Sequence, residues 1–201
     1  MAQPLAIYAS IPASAGANWL SNSGNLPPVT VAKPYPFWPD LGWSDGNIAP
    51  TSGYGEHPQY LWTIPVADPN DFTPKTLTRR LTASSAIKIP NILQIPTKTG
   101  AGSPFRFIFS IAADDEYTFQ LLVNEKTIAG ESPATGFNFA IPAQAPWRNV
   151  KTYSFGTEAN PVVLADGAVL DIQTTVTNLP QPPGENPAMV TWTLQIIAAA
   201  K

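Results

Sequence analysis

The sequence predicts an all-β protein, an antiparallel jelly-roll sandwich with a Pro- and aromatic-rich N-terminal arm. Short segments in which apolar and polar residues alternate recur along much of the chain and are separated by turn residues. Proline, glycine, asparagine, threonine and serine interrupt every candidate amphipathic helix before it reaches about ten residues. Hydrophobic residues make up 44% of the 201 residues, a content that argues against intrinsic disorder.

The chain divides by composition into two regions. Residues 1–75 contain 12 of the 23 prolines and four of the six tryptophans, a mixture that favours extended segments and loops over regular sheet. Residues 76–201 contain most of the alternating segments. We therefore predict an extended arm with wrapping loops over residues 1–75 and a jelly-roll sandwich over residues 76–201.

The alternation is clearest in residues 105–111, where every second residue is phenylalanine or isoleucine and shares one face of a predicted strand. Residues 105–109 and 195–198 also carry apolar side chains on the other face. They predict strands covered on both sides, either by the N-terminal region or by another copy of the chain. The segments predicted to be strands are residues 76–84, 86–95, 105–112, 117–123, 136–141, 150–155, 161–164, 168–177 and 189–198.

The order of turns and strands in residues 105–129 carries a family resemblance. An acidic turn follows the first strand, and Val123-Asn124 ends the second. This order resembles galactose-binding-like jelly-roll sandwiches, and the resemblance covers about residues 76–198. It implies a binding or scaffolding fold and transfers no particular ligand. Glu125 stands where that family usually has glycine, which disfavours a tight type I′ turn because both central residues of that turn need φ > 0.

Charge and composition exclude several classes of partner. Charged residues make up 12% of the chain, the formal net charge is −3, and Arg79-Arg80 is the only basic doublet. We therefore expect no nucleic-acid partner. No apolar stretch reaches the length of about 18 residues that a membrane helix needs, so membrane insertion is not predicted. Because Pro4 and Pro12 interrupt the apolar start and no basic residue precedes Lys33, we recognise no cleavable signal peptide.

Residue types that carry catalysis are scarce. The chain has no cysteine and a single histidine, His57, which lies between Glu56 and Pro58 in a predicted loop. Thiol chemistry and histidine-rich metal sites are excluded on this count, and no nucleophile elbow or phosphate-binding glycine motif is present. We predict a protein that is not an enzyme and carries no catalytic cofactor.

The acidic cluster Asp114, Asp115 and Glu116 admits two interpretations. Its carboxylates could supply oxygen ligands for a structural Ca²⁺, a hard cation that takes six to eight oxygens. They could equally form a solvated β-turn in which aspartate accepts backbone N–H groups. A catalytic carboxylate pair is not predicted, because neighbouring residues of a strand point to opposite faces.

Aromatic residues are concentrated between positions 35 and 62, mixed with proline, glycine, asparagine and aspartate. Three interpretations stay open: packing within the chain, a contact between subunits, or a glycan site in which aromatic rings stack on sugars and polar groups bind hydroxyls. The candidate glycan or interface residues are Trp38, Trp43, Tyr54, Trp62, Asp40 and Asp45.

These observations together favour a non-enzymatic structural subunit that self-assembles into a surface filament, an appendage or a particle shell. Its expected partner is another copy of itself, and its expected location is the surface of a virion, cell or spore. Leu5, Ile7 and Ile11 alternate along the arm and are expected to add beside an edge strand of another copy. Deletion of residues 1–12 should then leave a folded monomer and abolish assembly. The alternative function is a carbohydrate-binding module or adhesin that uses the aromatic cluster.

Overall fold

The computed structural model describes residues 7–13, 19–20, 28–30, 60–63, 67–68, 70–84, 92–94, 103–131, 150–156, 162–180 and 188–198. Within these residues the regular structure is entirely β-strand, and no helix occurs. The strands are β1 (Ile7–Pro12), β2 (Trp19–Leu20), β3 (Val29–Thr30), β4 (Leu61–Trp62), β5 (Lys75–Ser84), β6 (Ile92–Gln94), β7 (Ser103–Asp114), β8 (Glu116–Val123), β9 (Lys126–Glu131), β10 (Lys151–Phe155), β11 (Val162–Leu164), β12 (Val169–Thr177) and β13 (Met189–Ala198).

The strands form two sheets. The first sheet has the order β10-β7-β13-β4-β3, with β1 also paired to β13 and β11 also paired to β7. The second sheet has the order β2-β5-β12-β8-β9, with β6 also paired to β5. Every pair is antiparallel except β5–β6, which is parallel. The predicted all-β antiparallel sandwich is confirmed.

The connectivity is that of a jelly roll. Four antiparallel pairs are nested within one another along the chain: β4 with β13, β5 with β12, β7 with β10, and β8 with β9. Rolling such a nested hairpin brings β7 beside β13 in the first sheet and β8 beside β12 in the second. This arrangement of two packed antiparallel sheets is the double-sheet jelly roll.

Alternating side chains form the core between the sheets. Phe105, Phe107 and Phe109 of β7 are all fully buried, as the two-residue period predicts. Phe119 of β8 contacts the opposite sheet, with ring centroids 4.7 Å from Phe109 and 4.7 Å from Tyr153. Contacts of this kind are worth roughly 0.5–1.5 kcal/mol beyond the apolar area they bury. Aromatic side chains therefore join the two sheets.

β13 is buried on both faces. Trp192 and Leu194 face the core and are fully buried, while Thr191 and Thr193 on the other face are only 1% and 8% exposed. The sequence predicted such two-sided cover and left its source open. Because these side chains are buried within one copy of the chain, a second copy is not needed to cover the faces of β13.

The turn between β8 and β9 corrects one expectation. Asn124 and Glu125 form a two-residue connection with φ of 48° and 65°, the positive values that a type I′ turn requires. Glutamate takes this position because Asn124 is held from outside the turn. Its backbone N–H donates to the Val169 carbonyl at 2.8 Å, and its Oδ1 accepts the Val169 N–H at 2.8 Å. The expectation that Glu125 disfavours a tight turn is wrong, since the turn forms and two hydrogen bonds to the start of β12 hold its first residue, Asn124.

Described strands of the N-terminal region belong to the same sheets as the rest of the chain. β1 and β4 pair with β13, and β2 pairs with β5. The predicted strand at residues 86–95 is described only as β6, and the one predicted at residues 136–141 lies outside the described residues.

Candidate functional site

The described part of the predicted arm, β1, pairs with the edge of β13. Ser10 lies opposite Gln195 and Ile11 opposite Leu194, and the register holds from Ala9 to Pro12. A register shift between Ile7 and Ala9 bends the start of β1. The strand thus runs antiparallel along residues 193–197.

The hydrogen-bond direction along β1 follows from one measured contact. The Ala13 N–H donates to the Trp192 carbonyl at 2.8 Å. Because bonded and non-bonded pairs alternate in an antiparallel ladder, Ile11 and Ala9 also direct their N–H groups toward β13, while Ser10 and Pro12 face away. Pro12 lacks an N–H, and it lies at a position where β1 donates no hydrogen bond to β13, as expected for proline in an edge strand.

Two segments of the N-terminal region share this edge. β1 covers residues 193–197 of β13, and β4 covers Val190 through its pair with Leu61. β13 is buried on both faces, and an unpaired strand edge is a surface to which other strands can add. Strands of the N-terminal region therefore cover part of this edge within the chain.

The predicted arm residues fall on this strand, and the partner strand belongs to the same chain. Ile7 and Ile11 lie in β1, while Leu5 lies outside the described residues. Sequence reasoning identified a strand-forming arm and could not identify β13 as its acceptor. The pairing of β1 with another copy stays a prediction.

The acidic turn connects β7 with β8. Asp114 lies opposite Met189 in the first sheet, and Glu116 opposite Thr177 in the second. Asp115 is fully buried, and its Oδ2 accepts the Leu179 N–H at 2.8 Å, so this carboxylate holds the exit of β12. The β-turn interpretation expected an aspartate that accepts a backbone N–H, which is observed, but its expectation of a solvated turn is wrong because Asp114 and Asp115 are buried.

The described part of the chain contains no group of three or more histidine, cysteine, aspartate or glutamate residues arranged to hold a metal ion. Asp114 and Asp115 are buried at this end of the sandwich, and the Asp115 carboxylate accepts the backbone bond described above. A structural calcium at Asp114, Asp115 and Glu116 stays a prediction.

Trp62 is the one candidate of the aromatic cluster within the described residues. It lies in β4, is 3% exposed and belongs to the buried core. Of the three interpretations of the cluster, packing within the chain describes Trp62, because a buried indole offers no face to a sugar. The remaining candidates, Trp38, Trp43, Tyr54, Asp40 and Asp45, lie outside the described residues.

The arginine doublet is split between the two faces of β5. Arg79 points into the core, is 2% exposed, and places its guanidinium carbon 5.7 Å from the centre of the Trp192 ring. Arg80 faces outward and binds Asp171 through Nε–Oδ1 at 2.8 Å and Nη2–Oδ2 at 2.6 Å. This hydrogen bonding raises the pKa of Arg80. The doublet therefore forms no continuous basic surface.

The outer face of the second sheet is lined by threonine and glutamine side chains that hydrogen-bond across strands. The Thr76 and Thr175 hydroxyls lie 2.8 Å apart, and Gln173 Nε2 donates to the Thr78 hydroxyl at 3.3 Å. Sequence reasoning missed these partners, since cross-strand pairs depend on a register that alternation alone does not specify.

Comparison with known proteins adds no family name. No protein-family model matches the chain, and no curated protein matches it significantly. Among the described residues, no helix is long and apolar enough to span a membrane. The galactose-binding-like resemblance stays a prediction, because jelly-roll sandwiches occur in many unrelated proteins.

Proposed function

We propose that this chain is a non-enzymatic structural subunit that self-assembles through β-strand and arm contacts into a surface filament, an appendage or a particle shell. The observation that supports it most is the pairing of β1 with the edge of β13. An extended segment that adds to a sheet edge gains backbone hydrogen bonds and side-chain contacts together. The partner is another copy of the chain, at the surface of a virion, cell or spore.

The charge of the chain also supports association. Its 11 basic and 14 acidic residues give a net charge of −3, so long-range repulsion between copies is weak. High net charge is one of the features that keep proteins monomeric. Attraction between sheet edges is then opposed by little electrostatic repulsion.

The proposal assigns no chemical reaction to the chain. A single histidine and no cysteine leave few groups for nucleophilic or acid–base catalysis. The proposed role depends on backbone edges and buried apolar side chains. It requires no catalytic cofactor.

The test is the size and shape of the purified full chain. We expect sedimentation velocity to give species well above the monomer mass of 21.5 kDa, with a share that grows with concentration, and negative-stain electron microscopy to show regular filaments or closed particles. A strictly monomeric protein over the whole concentration range, above all one that hydrolyses an ester, glycoside or peptide, would rule the proposal out.

Deletion of residues 1–12 is a weaker test than the sequence suggested. β1 pairs with β13 of its own chain, so the deletion removes an intrachain ladder as well as the predicted arm. Loss of assembly then has to be accompanied by a melting curve and far-ultraviolet circular dichroism of the truncated chain. A folded truncated monomer supports an arm role, and a truncated chain that assembles like the full one contradicts it.

The alternative function, a carbohydrate-binding module or adhesin, is supported by the aromatic composition of residues 35–62. A glycan array with the full chain tests it, with Trp38→Ala and Trp43→Ala as the informative variants. Trp62→Ala is unsuitable as a binding probe, because Trp62 is buried and its loss destabilises the fold. Specific glycan binding that both informative variants lose would favour the adhesin. Absence of binding would favour the structural subunit over the adhesin.

A further inference from the structure

We infer that copies of this chain associate by exchange of their first strand, with β1 of one copy pairing along residues 193–197 of β13 in another. The inference rests on the proposed self-assembly and names its interface. The acceptor is the edge that β1 occupies within the single chain. Exchange of an identical element between copies is a low-cost route to an assembly, because every bond of the closed monomer is formed again between copies.

The acceptor edge already accommodates β1 within the single chain. β13 is buried on both faces, so an incoming strand meets a ladder that is already enclosed. Ala13 continues the ladder past β1 through its 2.8 Å bond to the Trp192 carbonyl, and Ala13 itself is fully buried. The contact therefore combines directed hydrogen bonds with buried side chains at its end.

The outer edge of β1 lacks one hydrogen-bond donor, at Pro12. Pro12 directs its nitrogen away from β13 and carries no N–H there. A missing donor on an exposed edge is one of the devices that prevent uncontrolled pairing. Pro12 consequently removes no donor from the ladder with β13 and one donor from the opposite edge of β1.

The length of the connection sets how far apart the exchanging copies can be. Ala13 pairs beside Trp192 in the first sheet, and Trp19 pairs with Arg79 in the second. Five residues, 14–18, join them and span at most about 20 Å when extended. The acceptor β13 must therefore lie within about 20 Å of the donor's own β2, so the two copies pack along the sandwich side that carries β1, β2 and β4.

Exchange determines the type of assembly through its symmetry. Reciprocal exchange between two copies closes a dimer. Head-to-tail exchange, in which each copy donates β1 to the next, gives a ring or an open filament. The same contact thus accounts for a closed particle or a filament, according to the angle between successive copies.

The test uses cysteine pairs in a chain that has none of its own. Ser10 and Gln195 lie opposite each other at a non-bonded position of the ladder, where Cα atoms are about 4.5 Å apart, within the range of a disulfide. Ser10→Cys and Gln195→Cys are made in separate chains, which are mixed under reducing denaturing conditions, refolded together and oxidised with glutathione disulfide. We expect a covalent dimer in which the Ser10→Cys chain is linked to the Gln195→Cys chain through these two positions, identified by non-reducing electrophoresis and peptide mass spectrometry.

A matched control places the second cysteine on the opposite edge of the same sheet. Thr152 lies on β10, is exposed, and pairs with Ser110 of β7. Chains with Ser10→Cys and Thr152→Cys should give no heterodimer above the level of random collision. A heterodimer from this control that equals or exceeds the first would assign the contact to β10 and overturn the choice of β13.

The outcomes separate this inference from the proposed function. Assembly without the 10–195 heterodimer, together with an intramolecular disulfide in the chain carrying both Ser10→Cys and Gln195→Cys, means that β1 stays within its own copy. This result would contradict the exchange of β1 and would leave the proposed self-assembly unaffected. A chain that sediments as a monomer at every concentration contradicts the proposed function itself.

Discussion

The ion pair between Arg80 and Asp171 shows how a single residue's surroundings determine its contribution to stability. The Arg80 side chain is 35% exposed, whereas the Asp171 side chain is 9% exposed and accepts both hydrogen bonds from the guanidinium. Removing the arginine leaves a mostly buried carboxylate without its partner. An unsatisfied buried acceptor costs more than the loss of an exposed pair.

We expect Arg80→Gln to lower the free energy of unfolding by about 1–3 kcal/mol, measured by urea denaturation near neutral pH. Lys75→Gln is the matched control, because Lys75 and Asp71 form a local pair at 2.7 Å with Asp71 37% exposed. Its expected cost is about 0.2–1 kcal/mol. Equal losses for the two variants would contradict the difference in burial.

The Lys75–Asp71 pair stabilises the folded chain only over a defined pH range. The hydrogen bond from Lys75 is the largest cause that lowers the pKa of Asp71 from 3.8 to about 2, followed by the bond from Thr73. Because the folded pKa lies below the unfolded one, this stabilisation is present above pH 3.8 and is lost as the pH falls through about 2. Comparisons of Lys75→Gln therefore belong near neutral pH.

The turn at Asn124 and Glu125 leads to a second prediction at the residue scale. Glu125 has φ of 65°, a conformation that disfavours side chains with a Cβ and suits glycine. Glu125→Gly should raise the free energy of unfolding by a few tenths to about 1 kcal/mol. The measurement is the urea midpoint.

Gly167→Ala is the reverse control for Glu125→Gly, because it adds a Cβ at another residue with positive φ. Gly167 has φ of 80°, and a Cβ there would meet no atom within 4 Å, so the substitution changes backbone strain alone. It should lower the free energy of unfolding by about 1 kcal/mol. A loss of stability in Glu125→Gly would mean that the glutamate side chain contributes more than its backbone strain costs.

At the scale of elements, the direction of each N–H group along β1 determines where this strand tolerates proline. Its N–H groups alternate between β13 and the outer edge, and Pro12 occupies an outward position. A proline substitution therefore has opposite consequences at neighbouring residues. The position of the missing donor, and not the presence of proline, determines the effect.

We predict that Ala9→Pro destabilises the contact of β1 with β13 while Ser10→Pro leaves it nearly intact. Ala9 directs its N–H toward β13, whose carbonyl would lose its donor, at a cost of about 1–3 kcal/mol. Sedimentation and thermal melting of both variants provide the comparison. If Ser10→Pro is as damaging as Ala9→Pro, the assigned hydrogen-bond direction is wrong.

At the scale of the whole molecule, the nested strand pairs place β13 centrally in its sheet and leave its edge to the N-terminal region. In the proposed assembly, association through that edge would depend on backbone hydrogen bonds and apolar burial, and the net charge of −3 would contribute little. Apolar and short-range contacts are weakly screened by salt, whereas exposed charge pairs are strongly screened.

The assembled state should therefore resist salt. We expect the sedimentation profile of the full chain to be unchanged, or shifted to larger species, between about 0.05 M and about 1 M sodium chloride, where the Debye length falls to about 3 Å. Dissociation at high salt would indicate an interface held by exposed ion pairs and would contradict association through strand edges.

Much of the sheet structure could be predicted from local pattern. β7, β8, β12 and β13 fall where alternation placed them, because a two-residue period is a property of a single strand. The short strands β2, β3 and β4 were not predicted, since each has only two residues and carries no period of its own. The turn at Glu125 was predicted wrongly because the hydrogen bonds that hold it join Asn124 to Val169, 45 positions away in the sequence.

The sequence by itself determined the all-β class, the scarcity of catalytic groups and the cover on both faces of β13. Only the tertiary structure decided that β1 lies on β13, that Arg79 is enclosed while Arg80 is outside, and that Trp62 packs in the core. The physical reason is that side-chain periodicity arises within one segment, whereas the partner of an edge depends on hydrogen bonds between residues far apart along the chain.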